Sequence, residues 1–533
     1  MDMPANAKMQ TISGKKYVFI DTPYWNAEKH RGEHKRRYIG KIVEGQFVPN
    51  GKYLLSLEKS GTIKPGTIPA TECKRQFYGA TYLLDQIGDK LGIVDDLKAS
   101  FPDRYKQLLS LAYFFVLEEG MSAYRLRKWA LTHKHPYGRD IPSQRISDLM
   151  GSIDEASKMN FFRRQAKRRA EKEYLAFDTT SISSYSELIK LAKYGKNKEG
   201  DHLPQVNLAL LYGEVSRLPV YFRKLTGNTA DVSLIRNLML DIDFLDMKKL
   251  SFVMGRGFYS EKNINDLMKR HHKFLIGIRC GLKIARKHLD EIRGEKMISW
   301  ENYHDDVGLY AMSFTDEWDY REEQPRTGKC ICDKRRVYVH IYFNDQRCTD
   351  ERLSFARYLT CLQDELKSGR KTDGHMKDYD KYFIVTETPK RGLHIVPKGD
   401  AIRERQRDFG YFVLLTNGIK NPVEAIKLYR VRDLIEKAFA NLKERLDMRR
   451  MSVSSSENFE GKLFVQFLAL IYLSYIKKQM DEKGLYKKYT MQTLLDDLDI
   501  IELYQQPGRA HHLSEITKKQ MALYDAMGVP FPK

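Results

Sequence analysis

The sequence predicts an α/β protein whose main sheet is built between residues 173 and 279 and completed between 406 and 480. Two patterns predict it. From Glu173 onward, EYLAFD, PQVNLALLYGE and LPVYFRKLTGN read as three strands, from their β-branched, aromatic and aliphatic runs between turn residues. TADVSLIRNLMLDIDFL then reads as a helix, KKLSFVMGRGF as a strand, SEKNINDLMKRH as a helix capped by Ser260, and KFLIGIR as a strand. The second pattern is the strand RDFGYFVLLTN followed by a long amphipathic helix, Asn421–Arg450.

Composition bounds what the rest can be. At 533 residues the chain is long enough for several domains. A mean hydropathy of -0.55 describes a soluble globular protein. The formal net charge of +21 favours a polyanionic partner, with nucleic acid first. The N-terminus, MDMPANAKMQ, lacks the apolar core of a signal peptide. The two most apolar stretches, Leu108–Leu117 and Leu463–Ile476, fall short of the roughly 18 residues a spanning helix needs and read as core helices. No membrane association is expected, and a cytoplasmic, nucleoid-associated protein is. The six cysteines form no CxxC pair and read as reduced structural thiols.

Flanking segments follow in order. Residues 1–75 read as a β-rich basic segment of short strands. Within it Lys29–Lys41, KHRGEHKRRYIGK, is either a charged edge strand or a phosphate-contacting arm. Residues 76–172 carry apolar residues at 3–4 spacing and read as a helical, DNA-binding region. It ends in the basic run Arg163, Arg164, Lys167, Arg168, Arg169, Lys172. Residues 280–405 interrupt the sheet pattern as a β-rich insertion, and 481–533 read as a helical tail suited to packing or subunit contacts.

The chemistry concentrates on Asn421–Arg450. Asn421 suits a helix cap and Pro422 the first turn. Tyr429, Arg432, Glu436 and Lys443 fall within roughly 60° of one another at about 100° per residue. Leu428, Ile435, Phe439, Leu442 and Leu446 form an adjoining apolar stripe. A carboxylate among two cations and a phenol suits metal and phosphate binding. A solvated helix with i,i+4 ion pairs has the same pattern.

The spacing is that of a Y-(2)-R-(3)-E-(6)-K signature. On it the chain resembles the bacterial insertion-sequence DDE transposases. Three further motifs follow the family's order: FDTTSI at Asp178, GNTAD at Gly227–Asp231, and VMGRGFYS at Val253–Ser260. The strand order β-β-β-α-β-α-β is the RNase H-like order. The resemblance implies a DNA transposase with an RNase H-like catalytic core. It would bind transposon ends and target DNA, as a homodimer on paired ends. It would cleave and join DNA with Mg²⁺, or Mn²⁺ in its place. Asp178 and Glu436 would be catalytic metal ligands. Tyr429, Arg432, Lys443 and Arg256 would contact DNA, with Arg163, Arg164, Lys167 and Arg168 of the helical region. In relatives an aromatic of the insertion stacks on a flipped base near the cut, and Trp300 and Trp318 are the candidates here.

One position departs from the pattern. The family's second acid stands just before Arg-Gly-Phe, where this chain has Gly255. Two carboxylates then stand where two metal ions normally share three acids. The expectation is a transposase copy impaired in catalysis. The alternatives are a DNA-binding protein without catalysis, derived from a transposase, and an RNase H-like nuclease that does not join strands.

Overall fold

The computed structural model describes residues 3–26, 29, 31–43, 45–59, 74–169, 173–186, 188–195, 202–229, 231–247, 249–323, 330–388, 392–451, 453, 455–506 and 510–533. Lys172, Cys73 and the loop at 196–201 lie outside them. The chain divides into two compact units: Met1–Val94, Lys106–Ile146 and Ile476–Lys533 form the first, Asp95–Tyr105 and Ser147–Tyr475 the second.

In the first unit, strands Ala7–Ile12, Lys15–Asn26, Arg31–Val43 and Gln46–Pro49 pair in sequence order as an antiparallel meander. Val18, Ile39 and Phe47 bury one face of it with Tyr53 of the helix Gly51–Lys59. Helices Gly79–Lys90, Leu126–Thr132, Met491–Asp499 and Lys518–Ala526 also belong to this unit. Leu108–Leu117 is buried throughout, within the helix Tyr105–Leu117. The tail beyond 481 is not all helical. Glu502–Gln505 and His512–Leu513 are strands, in a small sheet with Lys74–Phe77. His512–Leu513 pairs locally with Glu502–Gln505, which in turn takes its other ladder partner, Lys74–Phe77, from more than four hundred residues away, and no local periodicity records that.

The second unit is organised by a ten-stranded sheet. Its first strands and helices run β1 (Tyr174–Ser184), β2 (Gln205–Gly213), β3 (Pro219–Thr226), α1 (Asp231–Phe244), β4 (Ser251–Met254), α2 (Glu261–Lys269) and β5 (Lys273–Ile278). Ser260 caps α2, its side chain accepting from the Asn263 N–H. In space the strands lie β3-β2-β1-β4-β5. β2 is antiparallel to β1 and β3, while β4 is parallel to both β1 and β5. The registers pair Phe177 with Met254 and Met254 with Ile276. The registers therefore set Asp178, in the middle of β1, level with Gly255 just past β4 and Gly277 near the end of β5.

Residues 280–405 hold helix as well as strand. They run α3 (Lys283–Ile292), β6 (Tyr303–His304), β7 (Leu309–Glu323), β8 (Cys330–Phe343), α4 (Asp345–Ser368), α5 (Met376–Tyr382), β9 (Phe383–Thr388), β10 (Gly392–Pro397) and α6 (Gly399–Gln406). The long hairpin β7–β8 extends the main sheet. It pairs through β8 with β11 (Tyr411–Thr416), which lies against β5. Among the described residues of this stretch, β9 and β10 form a separate two-stranded sheet.

After β11 come α7 (Pro422–Tyr429), α8 (Arg432–Glu444), β12 (Arg450–Met451) and α9 (Ser456–Glu482). Ala425, Ile426 and Leu428 of α7 pack on Val253, Leu275 and Leu414 of the sheet. α9 runs 27 residues, well past the apolar stretch that marks it. It is long and apolar enough to cross a membrane by length and composition, yet 94% of its apolar window is buried within the protein.

Candidate active site

The site begins where β4 and β5 end, level with the middle of β1. Asp178 comes first, half-buried, with its Oδ1 accepting from the Thr179 N–H at 2.8 Å. Gly255 is buried at the end of β4, where the chain turns into a short 3-10 segment, Arg256–Phe258. Gly277 completes the row. Its missing side chain matters, because a Cβ there would lie 2.6 Å from the Tyr429 hydroxyl. The phenol thus reaches the sheet through a gap that only glycine leaves.

The helical segment over these ends departs from the expected single helix. It is two helices, α7 and α8, joined at Arg430–Val431. Asn421 caps α7 as expected, its side chain accepting from Val423 N at 2.8 Å and Glu424 N at 3.2 Å. At the joint the hydrogen bonds shorten to i→i+3, from Val431 N to Leu428 O, Asp433 N to Arg430 O and Leu434 N to Val431 O. Such a turn winds tighter than an α-helix and rotates α8 against the stripe drawn on a uniform helix. The apolar stripe survives, with Leu428, Ile435, Phe439, Leu442 and Leu446 all buried.

The polar stripe is only partly in solvent. Glu436 is exposed, but the Arg432 side chain is only 21% exposed and turns inward. Arg432 Nη1 donates to the Tyr429 hydroxyl at 3.0 Å, and Nη2 donates to Asp178 Oδ2 at 2.9 Å. The same Nη2 lies 3.7 Å from Glu436 Oε1. A Cβ at Gly255 would stand 3.2 Å from Nη2 and from Cζ. The guanidinium therefore lies among Asp178, Glu436 and the place where a third acid would begin. Burial works against its charge, but Tyr429 and Asp178 override that and hold its pKa above the ordinary arginine value. Its Nε is buried with no hydrogen-bond partner among the described residues.

This donor set does not fit a pair of divalent ions. Two carboxylates converge, one of them already hydrogen-bonded to a cation that fills the space between them. Among the described residues no group of three or more His, Cys, Asp or Glu is arranged to hold a metal. The cationic side chains here, Arg432 with Arg256 and Lys443, suit an anion better than a metal ion.

These residues line a cleft of about 1710 Å³. Asp178, Gly255, Arg256, Tyr429, Arg432, Glu436 and Lys443 all border it. Its lining also includes Arg347 and Tyr358 of α4 and Arg405 of α6, none of which the sequence singled out. They reach the cleft only because 280–405 folds back over the strand ends. Cys280 also borders it, but burial pushes its thiol up to about 11, so it is a neutral thiol at pH 7.

The remaining candidates lie elsewhere. Neither Trp300 nor Trp318 borders the cleft. Trp318 is buried and donates from Nε1 to Asn265 Oδ1 at 2.8 Å, while Trp300 is exposed. Trp318 is a packing residue because its strand, β7, turns that face toward α2. Arg163, Arg164, Lys167 and Arg168 sit on the helix Glu155–Arg169, apart from the cleft residues. Arg168 forks onto buried Asp96 at 2.8 and 2.9 Å, and Arg163 donates to the Phe244 carbonyl at 2.9 Å. Both are engaged in packing, whereas Arg164 and Lys167 are exposed.

Comparison with known proteins gives a family. The family described as transposase DDE domain matches residues 169–472, more than half of the chain. A solved structure of piggyBac transposase, in a synaptic complex with hairpin DNA, aligns at a TM-score of 0.34 with 10% identity. That alignment covers 78% of this chain and 70% of the other. No curated protein matches.

Proposed function

The chain belongs to the transposase DDE-domain family, and from that membership we propose an insertion-sequence transposase that binds its element's ends in the cleft but cleaves them weakly. The order β3-β2-β1-β4-β5, with β1, β4 and β5 parallel, supports an RNase H-like core. The six-part division of the chain proposed from sequence remains our reading of its domains, with 280–405 as the insertion.

Transposases of this family attack phosphodiesters in line with the help of divalent ions. In this chain the residues at the strand ends act first on the DNA itself. Arg432 supplies positive charge at the floor of the cleft toward a phosphate. Arg256 and Lys443, on the same cleft, neutralise neighbouring phosphates. Tyr429, held by Arg432, presents its phenol beside them. Pairing of two ends requires at least a homodimer, with target DNA bound afterwards.

The observation that carries the reading is the guanidinium of Arg432 between Asp178 and Glu436, against Gly255. An added carboxylate at 255 would begin within reach of that guanidinium and compete with Asp178 for it. The test is cleavage of end-bearing duplex DNA in Mg²⁺ and Mn²⁺. The chain as written should cut slowly. Gly255→Asp should raise the rate by about a hundredfold, as several kcal/mol of transition-state stabilisation implies. Asp178→Ala or Glu436→Ala in that background should abolish the gain. Fast cutting by the chain as written, unchanged by Gly255→Asp, would overturn the reading. Gly255 also favours a second reading, a DNA-binding protein without catalysis. Specific end binding with no cutting even in Gly255→Asp would select it. Cutting without strand transfer would select a nuclease.

A further inference from the structure

The meander of the first unit has one covered face and one open face. Val18, Ile39 and Phe47 face the helix Gly51–Lys59. Alternation along Lys15–Asn26 puts Tyr17, Phe19, Asp21 and Trp25 on the other side. Strand pairing then places Tyr38 opposite Phe19, Arg36 opposite Asp21 and Lys41 opposite Tyr17. From the first strand, Lys8 stands opposite Phe19 and Gln10 opposite Tyr17.

The rings on this face are braced and yet exposed. Tyr38 meets Tyr17 edge-on at 6.3 Å between centroids and Phe19 at 5.6 Å. Arg36 lies over the Phe19 ring at 5.1 Å. The Tyr38 hydroxyl and Arg36 Nη1 both donate to Gln10 Oε1, at 3.2 and 3.3 Å. Tyr38 is nonetheless 42% exposed and Trp25 66% exposed. Trp25 stands opposite Gly32, which has no side chain to cover it, and a Cβ there would meet nothing within 4 Å.

The charge on the face is one-sided. Lys8, Arg36 and Lys41 are cationic, and Asp21 is the only acid on this face among the described residues. Asp21 is itself neutralised, with Lys8 Nζ at 3.1 Å. Glu33 faces the other side, opposite Tyr24. Charge alone would suit any polyanion. Exposed rings braced among cations add a preference for unpaired bases, because a duplex hides its base faces.

We propose that this open sheet face binds single-stranded DNA, with bases stacking on Tyr38 and Trp25 and phosphates held by Arg36 and Lys41. Six residues of strand separate the two ring positions, about 20 Å, so they engage different bases. The inference does not rest on the cleft.

The test uses the full chain with fluorescent oligo-dT and with a duplex of equal length. Trp25→Ala and Tyr38→Leu should each weaken oligo-dT binding about tenfold, the loss of one stacked base, and change duplex binding by less than about twofold. Arg36→Gln should lower the single-strand salt slope by about 0.7. Tyr38 also packs on Phe19, so if its variant misfolds, Trp25→Ala and Arg36→Gln carry the test. Unchanged oligo-dT affinity in both would overturn the proposal. So would equal losses on duplex and single strand. Loss of oligo-dT binding in Arg432→Gln but not in Trp25→Ala would place the strand in the cleft and overturn it as well. Self-association lost in Trp25→Ala without change in oligo-dT binding would assign the face to a second copy of the chain instead.

Discussion

At the scale of single residues, small groups decide where charged ones go. Gly277 admits the Tyr429 hydroxyl, Tyr429 holds Arg432, and Gly255 leaves room for the guanidinium beside Asp178. Buried histidines supply a separate residue-scale prediction. His272 is buried, and its Nδ1 accepts from the Leu250 N–H at 3.1 Å. Burial, with Arg270 nearby, pushes its pKa down to about 4. The unfolded chain, near 6.5, takes up the proton first, so stability is complete above about pH 6.5 and lost as pH falls toward 4. The expected loss from this group between pH 7 and pH 5 is about 2 kcal/mol. His272→Asn keeps an acceptor for Leu250 but cannot titrate. Urea unfolding at the two pH values should show a smaller pH dependence in that variant. An identical pH dependence would mean that His272 is not buried neutral.

At the scale of elements, the α7–α8 joint matters most. Caps and apolar spacing read correctly because they are local. Asn421 bonds two orphan N–H groups of α7, and Pro422 needs no such bond. Asn421→Ala should therefore cost about 1 kcal/mol of stability, and Asn421→Gly only a few tenths. Equal losses in the two would show that the side chain acts by packing. The break at Arg430–Val431 was not legible, because no proline or glycine marks it. It is where α7 packs flat on Val253 and Leu275 while α8 turns to bring Arg432 to the strand ends. The short strand Glu502–Gln505 was missed for a like reason, since its pairing with Lys74–Phe77 is non-local, and His512–Leu513 pairs in turn with it.

At the scale of the whole molecule, a net charge of +21 makes DNA binding by this chain strongly dependent on salt. Each phosphate neutralised contributes about 0.9 to the log–log slope on duplex DNA. Lys443→Gln should reduce the slope for end-bearing duplex by about 0.9 if Lys443 holds one phosphate in the cleft. A slope near zero in the unaltered chain would remove the electrostatic basis of every DNA proposal made above. The charge belongs to the sequence and needs no fold. So do the apolar strand runs of residues 173–279, the cap at Asn421 and the spacing of Tyr429, Arg432, Glu436 and Lys443, because each is set within a few residues by composition, helix pitch or turn chemistry. Only the tertiary structure decided that Asp178, Gly255 and Gly277 stand level, since that depends on parallel registers between strands far apart in the chain. It also decided that Arg432 faces inward, that 280–405 walls the cleft, and that Tyr38 and Trp25 share an open sheet face. Each of these is a meeting of surfaces, and a one-dimensional pattern records which residues are apolar or charged but not what packs against them.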